Sequence, residues 1–204
     1  MTQNKKIIIF DLDGVLIDSI PNMKFALKKT SLFFKVNLNF EKYRKNLGLP
    51  FEQIMKNMGI FEKIPLIKKK YIFFSNQNIK KIKIKKANCI ILKRLRKKFK
   101  LAIFTSKDAK RTKKILSRYK LFDYVITSDD IKKGKPNPEG LKKILKFFKL
   151  KNKDAIFIGD SIYDHECASK AKIVYYHANW GYHKLKNSKK IIKINKLNQI
   201  LKLI

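Results

Sequence analysis

No apolar run in this chain approaches the roughly 18 residues that a membrane-spanning helix needs. The first apolar stretch, Ile7 to Phe10, is too short for a secretory signal core. There are only two cysteines, Cys89 and Cys167, too few and too isolated for a disulfide framework or a zinc site. Each follows a helical pattern and reads as a small buried hydrophobe. Arginine is scarce as well: Arg44, Arg94, Arg96, Arg111 and Arg118 are the whole set. These absences point to a cytoplasmic protein, with no membrane partner and no structural metal of the cysteine type. At 204 residues the chain is long enough for one domain, or one domain with a small insertion.

The net charge of +35 raises the question of nucleic acid, but the form of the charge argues against a selected role. Arginine is the side chain suited to bidentate recognition of phosphates and base edges. Here the charge is almost all lysine, and lysine rises together with Ile, Asn and Phe as a compositional drift. The lysines are spread along the chain, not gathered in a stripe or tail. A salt-sensitive, non-specific affinity for polyanions follows, with no specific nucleic-acid partner expected. The same field draws small anionic substrates toward the protein. A basic nucleic-acid-binding protein on the same fold stays as the alternative from another functional class.

Aspartate is absent from Ser19 to Lys107, where the acidic residues are Glu41, Glu52 and Glu62. Against that background the opening Ile7-Ile8-Ile9-Phe10-Asp11-Leu12-Asp13-Gly14 stands out. A β-branched apolar run reads as a buried strand, and two aspartates sit where it must end. In parallel α/β sheets ligands bind at the carboxyl ends of strands. Residues 16–83 read as a helical insertion, broken at Gly48-Leu49-Pro50 and Gly59, with a lysine-rich helical stretch from about Pro65 to Lys86. From Ala87 strands alternate with helices: strands at 101–104, 124–126, 155–158 and finally 173–176, with helices at 112–119, 138–148 and 166–171 between and around them. That alternation implies right-handed crossovers and a mainly parallel sheet. The expected fold is α/β, a Rossmann-like core of residues 1–15 and 84–204 flanked by helices, with residues 16–83 as a small helical cap inserted after the first strand.

Four features then fall on one sheet edge. The first strand delivers Asp11 and Asp13, the second Thr105-Ser106, the loop after the third Lys135, and the fourth Gly159-Asp160-Ser161 with Asp164 a turn later. Asp160 and Asp164 at (i, i+4) share a helix face and repel unless a cation lies between them and Asp11. Several carboxylates with a backbone carbonyl make an all-oxygen site of the kind Mg²⁺ accepts. One carboxylate can attack phosphorus, and a second, two residues away, can move the proton of the leaving oxygen. A lysine can meet the phosphoryl charge.

These residues carry a resemblance. Phe10-Asp11-Leu12-Asp13-Gly14-Val15-Leu16-Ile17-Asp18-Ser19 resembles the first motif of the haloacid dehalogenase-like hydrolases. Thr105-Ser106, Gly134-Lys135-Pro136-Asn137-Pro138-Glu139 and Gly159-Asp160-Ser161-Ile162-Tyr163-Asp164 are similar to the second, third and fourth. The resemblance implies a Mg²⁺-dependent phosphatase acting through an aspartyl-phosphate on a small phosphorylated metabolite. It makes Asp11 the nucleophile and Asp13 the acid/base. Thr105, Ser106, Lys135 and Gly14 form the phosphate site. Asp11, Asp160 and the Asp13 carbonyl hold the metal, with Asp164 supporting them. An aspartate at position 13 speaks against dehalogenation. Trp180-Gly181-Tyr182 is similar to an element of the phosphoglycolate phosphatase branch, although a packing turn explains it equally well. Ala171-Lys172 departs from that branch's Ala-Gly pair.

Sugar phosphates, inorganic pyrophosphate and β-phosphoglucomutase-like transfer are alternatives, and the protein is expected as a monomer or homodimer. Asp18 is expected to cap the first cap helix, Ser161 and Tyr163 to fill a turn, and Lys132 and Lys133 to be solvated. His165, His177 and His183 show no metal-ligand spacing. Arg44, Lys45 and Asn46 are the cap residues nearest to candidates for substrate contact, a solvated helix face being the other reading.

Overall fold

The structure is a computed structural model that describes residues 5–185 and 191–203. Residues 1–4, 186–190 and 204, parts of the expected core segments, lie outside the described residues. Strand β1 (Ile7–Phe10) lies inside a six-stranded sheet with β2 (Lys100–Phe104), β3 (Tyr124–Ile126), β4 (Ala155–Gly159), β5 (Val174–Ala178) and β6 (Ile192–Ile194). The order is β3-β2-β1-β4-β5-β6 and every pairing is parallel. The apolar run of β1 is continuous because both its faces are covered. Ile8 and Phe10 join a cluster with Leu92, Leu95 and Ile115, while Ile7 and Ile9 join one with Leu141, Ile144 and Ala168 on the other face. The expected α/β parallel core is therefore present.

A sixth strand corrects the expectation that residues 173–176 form the last one. β6 pairs with β5 through Tyr176↔Ile192 and Ala178↔Ile194. It is a three-residue edge strand in which Ile192 is exposed and Ile194 buried, so it lacks the doubly covered apolar run that marks the central strands.

The helices packed on the sheet are α5 (Lys86–Arg96), α6 (Ala109–Leu116), α7 (Glu139–Phe147), α8 (Ile162–Ala171) and the short α9 (Ile200–Leu203). α6 and α8 begin earlier than their apolar patterns suggest, because polar residues start them. Asp108 accepts from the Arg111 N–H at 2.9 Å, and Ser161 accepts from the Asp164 N–H at 3.1 Å.

Between β1 and α5 run four cap helices, α1 (Ile20–Phe34), α2 (Phe40–Lys45), α3 (Phe51–Asn57) and α4 (Ile64–Gln77). Their apolar faces close a cluster of their own around Met23, Leu27, Met55, Ile67 and Tyr71. The lysine-rich stretch expected as helix to residue 86 stops at Gln77. Ile79, Ile82 and Ile84 then turn into the sheet's own cluster. An antiparallel bridge, Ile17↔Ile84, ties together the two strands of chain that join cap to core.

β2 and β4 flank β1 on opposite sides, so the chain reverses direction across the sheet at β1 and β4. The carboxyl ends there form the crevice in which an open parallel sheet binds its ligands.

Candidate active site

Asp11 follows β1 directly, and its N–H still donates to the Ile158 carbonyl at 2.8 Å, extending the ladder to β4. Its side chain is buried, with Oδ1 at 2.8 Å from Lys135 Nζ. Lys135 arrives from the loop before α7, where the Lys135–Pro136 peptide is cis, and is 1% exposed. Its ammonium also meets Asp164 Oδ1 at 2.7 Å and lies over the rings of Phe104 and Phe157.

Asp164 belongs to the first turn of α8. Its Oδ2 accepts from the N–H groups of Asp160 and Ser161 at 3.2 and 3.0 Å and from the Ser161 hydroxyl at 2.6 Å. One oxygen thus shapes the turn and the other holds the lysine. Asp160 Oδ2 accepts from the Tyr182 N–H at 2.6 Å. Gly14, at φ +81°, lies so close to Asp160 that a Cβ there would stand 2.1 Å from Oδ2.

Asp11, Asp160 and Asp164 can each offer an oxygen, all within 4.8 Å of one another and all buried. Lys135 is the cation shared by Asp11 and Asp164. Burial pushes the Asp11 carboxyl up to about 7 against the pull of Lys135, with Asp164 adding to the rise. Burial, then Asp11 and Asp164, also lift Asp160 well above the usual carboxylate range. Burial works against the charge of Lys135, but the two carboxylates outweigh it and hold the ammonium above its ordinary value. Three close carboxylates against one lysine leave negative charge uncompensated. That donor set, all oxygen and buried, fits a hard divalent cation.

Asp13 projects beside this cluster, half-buried, with both oxygens engaged. Ser19 donates its hydroxyl to Oδ1, and Lys107 Nζ lies 3.1 Å from Oδ2. Ser19 starts α1 but spends its hydroxyl on Asp13, so the helix has no side-chain cap from it. The Ser19 N–H donates to the Tyr182 hydroxyl at 2.7 Å, so Tyr182 touches the surroundings of both Asp13 and Asp160.

A cavity of about 60 Å³ opens on these groups. Asp11, Asp13, Thr105, Ser106 and Asp160 line its core side. Thr105 is buried, with Oγ1 accepting from the Lys107 N–H at 3.2 Å. The Ser106 hydroxyl donates to the Gly48 carbonyl at 2.7 Å, tying the sheet edge to the break in the cap.

The sequence profile of the haloacid dehalogenase-like hydrolases matches residues 8–178, from β1 to β5, and so takes in all of these groups except Tyr182. The chain belongs to that family. A phosphoglycolate phosphatase of Aquifex aeolicus is 28% identical over 212 residues, covering 98% of this chain and 96% of that one. A pyrophosphatase of Halalkalibacterium halodurans is 38% identical over 69 residues, 32% of each chain. A solved structure from Lactobacillus plantarum shares the fold with a TM-score of 0.87 at 22% identity, over 99% of this chain and 100% of that one.

In this haloacid dehalogenase-like hydrolase the structure brings Asp11, Asp13, Gly14, Thr105, Ser106, Lys135, Asp160 and Asp164 to one sheet edge. Lys132 and Lys133 are exposed, their backbone N–H groups donating to the Glu139 carboxylate. Asp18 accepts from the Ile20 N–H at 3.1 Å in the manner of a helix cap. His177 is buried against the Tyr175 hydroxyl at 3.1 Å. Arg44 and Lys45 are exposed and Asn46 bonds within the cap; none of the three lines the cavity.

Lys107 and Arg111, to which the sequence alone assigns no role, are among the residues that line it. A single lysine among so many carries no signal. Arg111 had one, as one of five arginines and the one closest after Thr105-Ser106.

Proposed function

We propose that the protein is a Mg²⁺-dependent phosphatase that hydrolyses a small phosphate monoester through an aspartyl-phosphate on Asp11. One observation carries the reading. A buried carboxylate, held by a lysine and grouped with two further carboxylates, faces a small cavity, and a second aspartate stands two residues along the same strand end. A purely structural ion pair has no use for this excess of acids.

In the proposed reaction Asp11 attacks phosphorus, forming an acyl phosphate on Asp11 as the bond to the leaving oxygen breaks. Asp13 gives its proton to that oxygen. In the second half it takes a proton from water as the water attacks phosphorus, which restores the Asp11 carboxylate and releases inorganic phosphate. Lys135 fixes the Asp11 carboxylate through Oδ1 and brings a positive charge to the phosphoryl group. Ser19 and Lys107 hold Asp13 in place. Thr105 at the end of β2 offers a hydroxyl to a phosphoryl oxygen, with Ser106 and the Gly14 backbone beside it. Asp11, Asp160 and the Asp13 carbonyl would hold Mg²⁺, with Asp164 supporting them. When bound, the ion neutralises the acid cluster and polarises the phosphoryl group. The likeness to a phosphoglycolate phosphatase over 98% of the chain supports this reading, and small phosphorylated acids are the first substrates to try.

The test is a phosphate-release screen over small phosphomonoesters with Mg²⁺. Asp11→Asn is expected to lower turnover by about a thousandfold or more, as loss of a nucleophile does, with an unchanged circular dichroism spectrum. Chelation of metal is expected to stop the wild type. Turnover indifferent to both changes would refute the proposal.

A further inference from the structure

The Trp180-Gly181-Tyr182 element after β5 supplies no reacting group, yet it is stitched into the site on two sides. The Trp180 indole N–H donates to the Val15 carbonyl at 2.9 Å. A Cβ on Gly181 would stand 2.2 Å from Asp160 Cβ, so the turn lies directly against that side chain. The Tyr182 ring lies over Gly14, where a Cβ would stand 3.1 Å from its Cδ2. From there it carries its hydroxyl to the start of α1.

Packing alone would be served by phenylalanine. The Tyr182 hydroxyl, however, meets Ser19 twice: it accepts from the Ser19 N–H at 2.7 Å and lies 3.2 Å from the Ser19 hydroxyl oxygen. Ser19 is buried, and its N–H, at the start of a helix, has no partner within that helix. The Ser19 hydroxyl gives its proton to Asp13, which leaves its oxygen free to accept the phenolic proton. The Ile17 carbonyl at 3.4 Å and Asp18 Oδ1 at 3.3 Å are the longer alternatives for that proton. The shortest path therefore runs from Tyr182 through Ser19 to Asp13. In the other direction the Tyr182 N–H donates to Asp160 Oδ2 at 2.6 Å.

We infer that Tyr182 is a positioning residue for the acid/base: through Ser19 it directs the Asp13 carboxyl, while its backbone bond to Asp160 anchors it to the acid cluster. That role rests on the phosphatase reading, in which Asp13 protonates the leaving oxygen. A poor leaving group needs the proton as its bond to phosphorus breaks, and a good one departs without it. A misdirected Asp13 penalises the first and spares the second. Loosened packing penalises both.

The test is Tyr182→Phe, which keeps the ring and the backbone bond to Asp160 and removes only the hydroxyl. With Mg²⁺ present, kcat/KM is compared for p-nitrophenyl phosphate and for the alkyl phosphate that the wild type turns over fastest, 2-phosphoglycolate being tried first. This constant covers the steps up to departure of the leaving group. A loss of about tenfold or more is expected for the alkyl ester, and of about threefold or less for the aryl ester. Ser19→Ala is expected to reproduce that split, and adding Tyr182→Phe to it to cost little more.

Amide exchange at Ser19 supplies a readout that needs neither metal nor turnover. With Tyr182 as its partner the amide is expected to be protected in the wild type, and to exchange about tenfold faster or more in Tyr182→Phe. Equal losses for the two esters, or no loss, would overturn the inference while leaving the phosphatase standing. A Ser19 amide that exchanges freely in the wild type would do the same, even if the variant failed to fold. A wild type that releases phosphate from no ester would remove both.

Discussion

On the sheet side of the cavity the charged groups are fixed by more than one contact. Lys135 bridges Asp11 and Asp164, Asp164 also shapes the start of α8, and Asp13 is gripped from both sides by Ser19 and Lys107. On the cap side the wall is aromatic and aliphatic, and the polar groups that do occur, the Tyr43 and Tyr71 hydroxyls, bond to each other. Both parts leave apolar side chains more than half exposed on their outer surfaces, Leu32, Phe33, Phe61 and Phe73 on the cap and Ile90 and Phe147 on the core. Between them, a polar edge fixed by ion pairs and hydrogen bonds faces an apolar cover.

Breaking the polar side should be the more damaging. Lys135→Met leaves Asp11 and Asp164 buried without their cation, and loss of one partner of such a group costs about 3–5 kcal/mol. Urea unfolding is expected to show a loss of that size, together with loss of turnover. A stability equal to the wild type would mean that the lysine adds nothing to the fold.

Met55 is the matching position in the cap, fully buried in its cluster. Met55→Ala opens a cavity at a cost of about 2–5 kcal/mol. Because the cap cluster is separate from the sheet's, amide exchange is expected to rise in α1–α4 and stay low in β1 and β4. Equal loosening of both would show that the two parts unfold as one.

The smallest effect concerns a helix end. Lys172 closes α8 in the left-handed region, at φ 55°, where a side chain costs about 1–2 kcal/mol relative to glycine. Lys172→Gly should raise the thermal midpoint by a few degrees without changing KM, since the residue lies on the far end of α8 from Asp164.

The central strands were legible because burial on both faces writes an uninterrupted apolar run. The edge strand β6 was not, because a half-exposed triplet such as Ile192-Lys193-Ile194 has no such signature. Asp11, Asp13 and Asp160 stood out because each follows a strand, and because aspartate is absent from Ser19 to Lys107. Lys107 did not, since its identity is the commonest in the sequence and its role depends on a burial that only packing creates. Ser19 was legible only as the last residue of the first motif, and its hydroxyl bond to Asp13 depends on the fold. The contact of Tyr182 with Asp160 runs through a backbone N–H, which residue identity cannot reveal.

Lys35 and Lys172 hold left-handed turns at the ends of α1 and α8, and Lys63 and Lys149 also take a positive φ. The chain thus tolerates lysine where other proteins commonly place glycine, and it retains only seven glycines. Three of those seven, Gly14, Gly159 and Gly181, stand where a Cβ would come within 2.4 Å of Asp160 or Asp164 side-chain atoms. A sequence drifting toward lysine can absorb strain at a helix end, but it has no way to absorb an atom in a filled slot. In this chain those three glycines mark lost space, drawn around the carboxylates of Asp160 and Asp164.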